Sequence, residues 1–548
     1  MSLRIEEQQG GDKMPVNFKH RYDDIESYEN LNISRIISDG NLTNEEIQKL
    51  ERIRENWNFY EGYHWEGIDD EDSPQVTFNY CRPFVNKYVS FELGDGFTIQ
   101  TSRKLSKVAN EGGSSEDLNK DGIVDEEDAI LNIKKAVYDF LENVWKYNDR
   151  VSFIEEMGQT KSITGEAWVK IQYVAPEDLD DPFEEYPKGK IELSVIPTQY
   201  VFPRFNQHNS KKLESLLIAY PIDKEETTGV LLNRTRIKTI IYKEIWTKDT
   251  ITVYEDGKEV DSMENPYGFI PYVQIKNLSV AGRTRGLSDL DDIVPLNMEY
   301  NMKKSDCSEI IDYHSAPITL VYGARIGNLE KGANKVWGGL PKDSKVENLS
   351  LSGDLIASQN YIASVKTAMC DIGGVPENIL GGASSISNTS GVALQYMNAP
   401  LIDKTKTKRN LTKAGIEKIN KYILFISVYH GLIEKPAEIS MSEFVKNDVD
   451  IPDTLPKDQM IELTQIQLEM KLGLECRHGA LKRLGRENIQ DILDEVDQER
   501  KEHPEYFGGS DMEDQTNINA GGMMNGISPI ETVRKEMTGS NGMTSNMN

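Results

Sequence analysis

The residues of this sequence whose types and spacing best match a known chemistry lie in the twelve-residue stretch DLNKDGIVDEED, residues 117–128. Oxygen-bearing side chains fill its first, third, fifth, ninth and twelfth places, and a glycine in the sixth place permits a sharp turn. Hard oxygen donors at this spacing suit Ca²⁺. The predicted ligands are Asp117, Asn119, Asp121, Ile123 through its carbonyl, Asp125 and Asp128.

The last ligand position departs from the EF-hand pattern, because it holds Asp128 rather than a bidentate glutamate. With this shorter carboxylate in its last place, the stretch resembles the calcium loops of dockerin modules, in which a helix follows the loop but no helix need precede it. Ile130, Ile133 and Val137 follow at helical spacing, and the residues before the loop are rich in glycine and serine. A solvated acidic turn is the alternative interpretation. Either way, the loop occupies little of the chain, so the main function lies elsewhere.

Enzymatic motifs are missing from the sequence. The glycine-rich stretches at 322–335 and 381–391 lack the GK[ST] ending of a phosphate-binding loop, and neither GxSxG nor HExxH occurs. His64 and Glu66 match half of a zinc deaminase signature, but the PCxxC half is absent, so we interpret the match as chance. The sequence therefore predicts a protein that is not an enzyme.

The composition indicates a folded, strongly acidic protein. The chain has 548 residues, 38% of them hydrophobic, with 62 basic and 90 acidic residues and a net charge of −28. This charge argues against a broad basic face for nucleic acid, although acidic channel walls would keep a moving duplex from adhering. The four cysteines lie far apart, and no apolar stretch is long enough for a bilayer, so we expect a reducing compartment and no membrane partner.

The order of patterns along the chain predicts an α+β protein. Residues 165–277 form short β-branched and aromatic runs, with a hairpin at Asp256-Gly257. Two helical segments, 288–315 and 353–373, flank a β-like excursion, and Pro295 suits only a helix start or a kink. A long helical stretch from about 391 to 432 contains Pro400, which predicts a kink near Asn398. Two or three short helices are expected after Pro456.

Five segments in this order resemble the portal proteins of tailed bacteriophages, in particular those of long-tailed phages of Gram-positive hosts. They are NYCRPFVNKYVSFELGDGFTIQ, GEAWVKIQYV, PYGFIPYVQIKN, GLSDLDDIVPLNMEYN and VPENILGGASSISNTSGVALQY. None is a catalytic motif, and the resemblance rests on their order and spacing over roughly residues 50–430.

The resemblance implies a portal fold with an α/β wing, a two-helix stem, a small β-containing clip, a long kinked helix and a helical crown. The implied boundaries are 1–45 for an N-terminal arm, 46–287 for the wing with the calcium-loop insertion at about 103–130, 288–315 and 351–374 for the stem helices, 316–350 for the clip, 375–390 for a tunnel loop, 391–435 for the kinked wing helix, 436–507 for the crown and 508–548 for a disordered tail.

The same resemblance implies which residues meet DNA. The tunnel loop is rich in small and polar residues, which change shape cheaply, although a plain helix connector explains them too. Lys303 and Lys304 on the first stem helix could form a basic ring in the channel, and a solvated helix face or ion pairs between subunits explain them about equally well. The predicted tunnel-loop residues are Asn378, Gly381, Gly382, Ser384, Ser385, Ser387 and Asn388.

A portal's expected partners follow from the resemblance. They are further copies of the chain in a ring, commonly twelve, double-stranded DNA as a non-specific passenger, the terminase large subunit, a head-completion or adaptor protein, and the major capsid and scaffold proteins. The expected location is the portal vertex of the virion, after synthesis in the host cytoplasm. The alternative is a calcium-dependent, dockerin-like binding module, which predicts a signal peptide and usually a duplicated loop; the sequence shows neither.

Overall fold

The computed structural model of the chain describes residues 43–66, 68, 74–100, 126–179, 185–228, 234–315, 319–322, 341–348, 355–381, 396–437, 439–452, 459–484 and 489–503. The chain divides into two compact units, residues 1–461 and residues 462–548. The described part of the first unit combines helices with antiparallel sheets, which is an α+β architecture.

The described part of the first unit begins with four helices and one short strand. Helix α1 (Asn44–Glu61) starts with a capping box, in which the Glu46 amide donates to Thr43 Oγ1 and the Thr43 amide donates to Glu46 Oε2. It is followed by α2 (Cys81–Leu93), strand β1 (Thr98–Gln100), α3 (Glu126–Tyr147) and α4 (Arg150–Thr164). This capping box fixes the residue at which α1 begins.

Two antiparallel sheets follow, as the β-rich pattern predicts. The first has the order β3-β2-β9, from β2 (Glu166–Val174), β3 (Lys190–Ile196) and β9 (Tyr272–Lys276). The second has five strands in chain order, β4 (Val201–Phe205), β5 (Leu213–Thr228), β6 (Arg234–Thr247), β7 (Thr250–Glu255) and β8 (Lys258–Glu264). Asp256 and Gly257 join β7 to β8 with φ of 47° and 78°, so the predicted hairpin is confirmed.

A helical stalk follows the sheets. After a two-strand ladder of β10 (Leu278–Ser279) and β11 (Gly286–Leu287), the chain forms α5 (Val294–Ser315), the antiparallel pair β12 (Thr319–Tyr322) and β13 (Lys345–Asn348), and α6 (Leu355–Gly373). We call α5, α6 and the chain between them the stalk. Pro295 lies in the first turn of α5, where its missing amide costs no hydrogen bond. Helices α5 and α6 pack together within a core that includes Tyr300, Cys307, Ile362, Val365 and Met369.

Helix α7 (Ala399–Tyr429) carries the chain back across the first sheet. Pro400 lies in its first turn, and a helical break at Asn398 separates α7 from Tyr396 and Met397. The break thus falls where the kink was expected, and residues 391–395 lie outside the described residues. Gly415 faces β9, and a Cβ at this position would lie 2.6 Å from Ile275 Cγ1. The α7 backbone therefore crosses the sheet at close range.

The first unit ends with α8 (Met441–Phe444) and β14 (Asp448–Asp450), which pairs with β1. Helix α9 (Gln459–Lys471) leads into the second unit, which contains α10 (Arg477–Arg483) and α11 (Ile489–Glu502). Within the second unit Arg483 Nη1 lies 2.6 Å from Glu469 Oε2. The short helices predicted after Pro456 are confirmed.

Candidate functional site

The connection between α6 and α7 leaves the stalk through two glycines. A Cβ on Gly373 would lie 2.3 Å from Cε1 of Phe84, so this position has no room for a larger residue. Gly374 has φ of +70°, and the next amide, of Val375, donates to the Cys370 carbonyl at 3.1 Å. Together these features end α6 sharply and turn the chain away from the stalk.

The other end of this connection is held by two lysines on the first turns of α7. Lys404 Nζ lies 3.1 Å from Asp289 Oδ1, and Lys408 Nζ lies 2.7 Å from Asp289 Oδ2. Lys404 Nζ also donates to the Gly373 carbonyl at 3.3 Å. Since Asp289 lies just before α5, these contacts join the start of α7, the end of α6 and the approach to α5.

Further ion pairs and hydrogen bonds connect these residues to helices α2 and α4. Lys161 of α4 forms an ion pair with Glu92 of α2 and donates to Thr412 Oγ1 at 2.6 Å, and the Thr412 hydroxyl donates to Glu92 Oε1 at 2.7 Å. Lys408 Nζ lies 3.4 Å from the other oxygen of Glu92. The Ser162 hydroxyl donates to Asp289 Oδ2 at 2.7 Å. We call this group of five charged side chains the ionic cluster: Glu92, Lys161, Asp289, Lys404 and Lys408.

Four of the five side chains have no exposed surface, and Lys404 is 21% exposed. Burial by itself raises the pKa of Asp289, but the ammonium groups of Lys408 and Lys404 outweigh it and hold that pKa well below its usual range. Burial likewise raises the pKa of Glu92, but the nearby Lys161 and Lys408 lower it by more, so its pKa lies below the usual value. Burial lowers the pKa of Lys408, but Asp289 and Glu92 raise it further than burial lowers it. These shifts favour the charged forms of Asp289, Glu92 and Lys408, whereas burial lowers the pKa of Lys161.

Tyr88 covers the lysine side of the ionic cluster. Its ring centroid lies 4.2 Å from Lys404 Nζ and 5.0 Å from Lys408 Nζ, and its hydroxyl donates to the Gly373 carbonyl. Acid-base catalysis requires a titrating group within reach of a substrate, whereas these charges are buried and paired with each other. The arrangement is suited to holding helices in place.

A second set of polar contacts fixes the base of the stalk. The extended residues 74–80 run along α5, where the amides of Val76, Phe78 and Tyr80 donate to polar side chains at 3.0, 2.9 and 2.9 Å. Two residues of extended chain rise about 6.6 Å and four residues of helix about 6 Å, so the two repeats match. The acceptors, four residues apart on α5, are Ser305, Asn301 and Asn297.

One of these acceptors, Asn301, also contacts His64. Its ring is buried, with Nε2 at 2.9 Å from the Phe59 carbonyl and Nδ1 at 2.6 Å from Asn301 Nδ2. Burial lowers the pKa of His64, which favours the neutral ring. The structure places this histidine in the packing of the stalk base.

Both lysines predicted to form a channel ring have partners within their own subunit. Lys303 Nζ lies 2.8 Å from Asp306 Oδ2. Lys304 Nζ lies 5.8 and 5.6 Å from the ring centroids of Phe78 and Tyr300. Their role toward DNA stays a prediction.

Only two of the predicted tunnel-loop residues are described. Asn378 and Gly381 lie in the turn after α6; Gly381 has φ of +90°, and among the described residues the buried Oδ1 of Asn378 has no hydrogen-bond partner. Gly382, Ser384, Ser385, Ser387 and Asn388 lie outside the described residues. The same is true of the predicted calcium ligands Asp117, Asn119, Asp121, Ile123 and Asp125, while Asp128 lies in the first turn of α3.

The part of the chain that the structure describes contains no group of three or more His, Cys, Asp or Glu side chains able to hold a metal ion, and this part excludes most of the predicted calcium loop. None of its helices is long and apolar enough to cross a membrane.

None of the sequence patterns described above predicts the ionic cluster, although Glu92 and Lys408 carry a signal for it. Glu92 continues the buried positions Val85, Tyr88 and Val89 of α2, and Lys408 lies among the buried positions of α7. A charge at a core position of a helix requires a partner, because an unpaired buried charge is strongly destabilising. That signal marks the residues but does not identify their partners.

The described part of the first unit thus combines helices and antiparallel sheets, a two-helix stalk with a strand pair between its helices, and a connection anchored by buried ion pairs. Comparison with known families gives the class: residues 39–504 match the family of phage portal proteins, SPP1 Gp6-like. This match covers most of the chain, which therefore belongs to that family. A comparison with curated protein sequences gave no significant match.

Membership of this family identifies a structural component of the phage virion and implies an oligomeric ring with partners in the phage head. The predicted resemblance is thus confirmed. The match favours a portal over the dockerin-like module as the main function.

Proposed function

We propose that the chain forms a ring at one capsid vertex, through whose central channel the terminase packages the genome and from which the genome later leaves. The observation that carries this proposal is the match to the portal family over residues 39–504. The stalk supports it, because a paired-helix element that carries a separate strand pair is suited to projecting from a ring. ATP hydrolysis would belong to the packaging motor and not to this chain.

Within this proposal, α5 and α6 are the stem, residues 316–350 are the clip, and the sheets with their surrounding helices are the wing. The helices after Pro456 are the crown. The clip would dock the terminase large subunit and later a head-completion protein, and the wing would contact capsid and scaffold proteins. Twelve subunits are the expected number.

The tunnel loop, residues 375–390, is the element we assign to the DNA channel. The ionic cluster supports this assignment, since Lys404 contacts both the Gly373 carbonyl and Asp289, and so ties the two ends of the connection to one point at the stalk base. A loop with a fixed base can follow a moving duplex without displacing the helices on either side. Lys303 and Lys304 would add positive charge near the phosphates.

Negative-stain electron microscopy of the purified chain tests the ring, with top views classified without imposed symmetry. The expected result is closed rings with a channel wide enough to admit a duplex. Exclusively open filaments or compact particles without a channel would contradict the proposal.

We also propose that residues 117–128 bind calcium and that the bound ion stabilises the segment between β1 and α3 in the wing. Their ligand spacing supports this proposal. In calorimetric titrations, the unaltered chain should bind calcium and an Asp117→Ala, Asp121→Ala double variant should not. A matched Glu177→Ala, Asp178→Ala variant, altered at an exposed acidic turn, should bind like the unaltered chain. Equal heats from the Asp117/Asp121 variant, or none from the unaltered chain, would refute the site.

A further inference from the structure

A glutamate without a cationic partner lies on the packed face of the five-stranded sheet. Glu244 of β6 is 3% exposed, and no lysine, arginine or histidine nitrogen of a described residue lies within 4.0 Å of its carboxylate oxygens. Its cross-strand neighbours are the apolar Ile218 and Val253, and Lys224 on the same face pairs with Glu255 at 2.7 Å. A buried charge without a counterion is costly. Packing therefore does not account for a carboxylate at this position.

Neutral donors hold the Glu244 carboxylate in place. Trp246 Nε1 donates to Oε2 at 2.7 Å, and the Tyr242 hydroxyl donates to Oε1 at 3.1 Å. The Tyr272 hydroxyl of β9 lies 3.5 Å from Oε2, and Lys170 Nζ lies 5.9 Å from the Tyr272 ring centroid without forming an ion pair with Glu244. A carboxylate has about four acceptor positions, two on each oxygen. Oε1 therefore keeps one position for a further donor, and the negative charge stays uncompensated.

Aromatic rings surround this carboxylate. Alternate residues of a strand share one face, so Tyr242 and Trp246 flank Glu244. Tyr220 lies opposite Tyr242 with ring centroids 5.2 Å apart, and the Trp246 and Tyr272 centroids are 5.6 Å apart. The faces of such rings are negative and attract cations. Tyr220 and Tyr242 are half-buried, so this pair gives access from solvent. We call the group the anionic aromatic site: Tyr220, Tyr242, Glu244, Trp246 and Tyr272.

We propose that the anionic aromatic site binds a primary alkylammonium group. The ammonium would donate to the open position on Glu244 Oε1, and the rings of Tyr220 and Tyr242 would contact the alkyl chain and attract the charge. A primary ammonium is both a cation and a hydrogen-bond donor, whereas a quaternary ammonium cannot donate. Two sources have this chemistry, a free amine in solution and a lysine side chain of a neighbouring copy. The site lies within one subunit, so the inference does not depend on the ring of the proposed function.

Ligand-observed NMR tests the site even at low affinity. Saturation-transfer difference spectra of n-butylammonium would be recorded with the full-length, unassembled chain at neutral pH. The control probes are n-butanol, which lacks the charge, and tetramethylammonium, which lacks a donor. We expect saturable binding of n-butylammonium, and binding of either control probe that is at least about tenfold weaker, because each lacks the charge-assisted hydrogen bond. No saturable signal from n-butylammonium, or equal binding of either control probe, would overturn the proposal.

Substitutions assign the binding to the carboxylate. Glu244→Gln keeps the size of the side chain, and the Tyr242 hydroxyl can accept a hydrogen bond from its amide, so the fold should be retained. This variant should bind n-butylammonium at least about tenfold more weakly than the unaltered chain. The matched Glu259→Gln variant, altered on the exposed strand β8, should bind like the unaltered chain. Equal binding by the Glu244→Gln and Glu259→Gln chains would overturn the site.

Two further measurements complete the test. A Tyr242→Phe chain keeps the ring and loses one donor to Oε1, so it should bind at least as tightly as the unaltered chain; loss of binding by this variant, with an unaltered circular dichroism spectrum, would contradict the proposed contact at Oε1. Comparison of unassembled subunits with assembled rings separates the two sources of the ammonium group. Binding to subunits alone would identify a lysine of the neighbouring copy, and binding to both would identify a free amine.

Discussion

Replacing Asp289 by asparagine removes one of the two carboxylates of the ionic cluster. Lys408, whose side chain is fully buried, is then left with Glu92 at 3.4 Å as its only carboxylate partner in the cluster. Breaking a buried ion pair from one side costs about 3–5 kcal/mol, chiefly because the remaining charge stays out of water. We expect the free energy of unfolding of the first unit to fall by that amount. Urea titration of the unassembled subunit measures it through tryptophan fluorescence, since all six tryptophans lie in residues 1–461.

A second substitution separates the unpaired charge from other effects of the change. Adding Lys408→Met to Asp289→Asn should restore part of the lost stability, because replacing both partners leaves less charge unpaired. The control is Asp306→Asn, which removes the partner of the half-exposed Lys303 and should cost about 0–1 kcal/mol. The reasoning fails if the single Asp289→Asn variant lies within about 1 kcal/mol of the unaltered chain, or if the double variant is less stable than the single.

Three further predictions concern pH, backbone approach and the stalk base. The carboxyl groups of Glu92 and Asp289 have lower pKa values in the folded chain than in the unfolded chain. Their ionised forms therefore stabilise the fold fully above the ordinary carboxyl pKa of about 4, and this stabilisation is lost as the pH falls through the pKa values of the folded chain. The urea concentration at the unfolding midpoint should therefore fall when the pH is lowered below about 4, and it should fall less steeply for the Asp289→Asn variant than for the unaltered chain. Parallel plots of midpoint against pH for the two chains would contradict this. A Gly286→Ala chain should be strongly destabilised in thermal unfolding, because the added Cβ would lie 1.9 Å from the Gly165 carbonyl oxygen. Gly257→Ala, which meets nothing within 4 Å at φ of +78°, should cost only about 1 kcal/mol of backbone strain. Asn301→Leu leaves the Phe78 amide without its acceptor and should lower the free energy of unfolding by about 1–3 kcal/mol in urea titration. An unchanged midpoint would show that the hydrogen bonds between residues 74–80 and α5 do not stabilise the stalk base.

The elements that local chemistry specifies were predictable from the sequence. The capping residues of α1, the Asp256-Gly257 turn and the position of Pro295 each act within a few residues of themselves. Helix starts and hairpins depend on such short-range rules, which is why the α+β class and the order of elements could be inferred from the sequence.

The contacts that build the site were not predictable, because they join residues far apart in sequence. Glu92 and Thr412 are separated by 320 positions, and Tyr80 and Asn297 by 217. Spacing along the chain carries no information on such pairs. The prediction of a basic ring from Lys303 and Lys304 likewise took no account of their partners on α5 and on the extended residues 74–80.

The most direct test of the central claim is a cryo-electron microscopy map of the assembled ring at side-chain resolution. We predict that α5 and α6 surround the channel below the wing and that residues 375–390 of all subunits converge at its narrowest point, with the ionic cluster intact behind them. A ring in which residues 375–390 lie on the outer surface, or in which the stalk points away from the channel axis, would contradict the account.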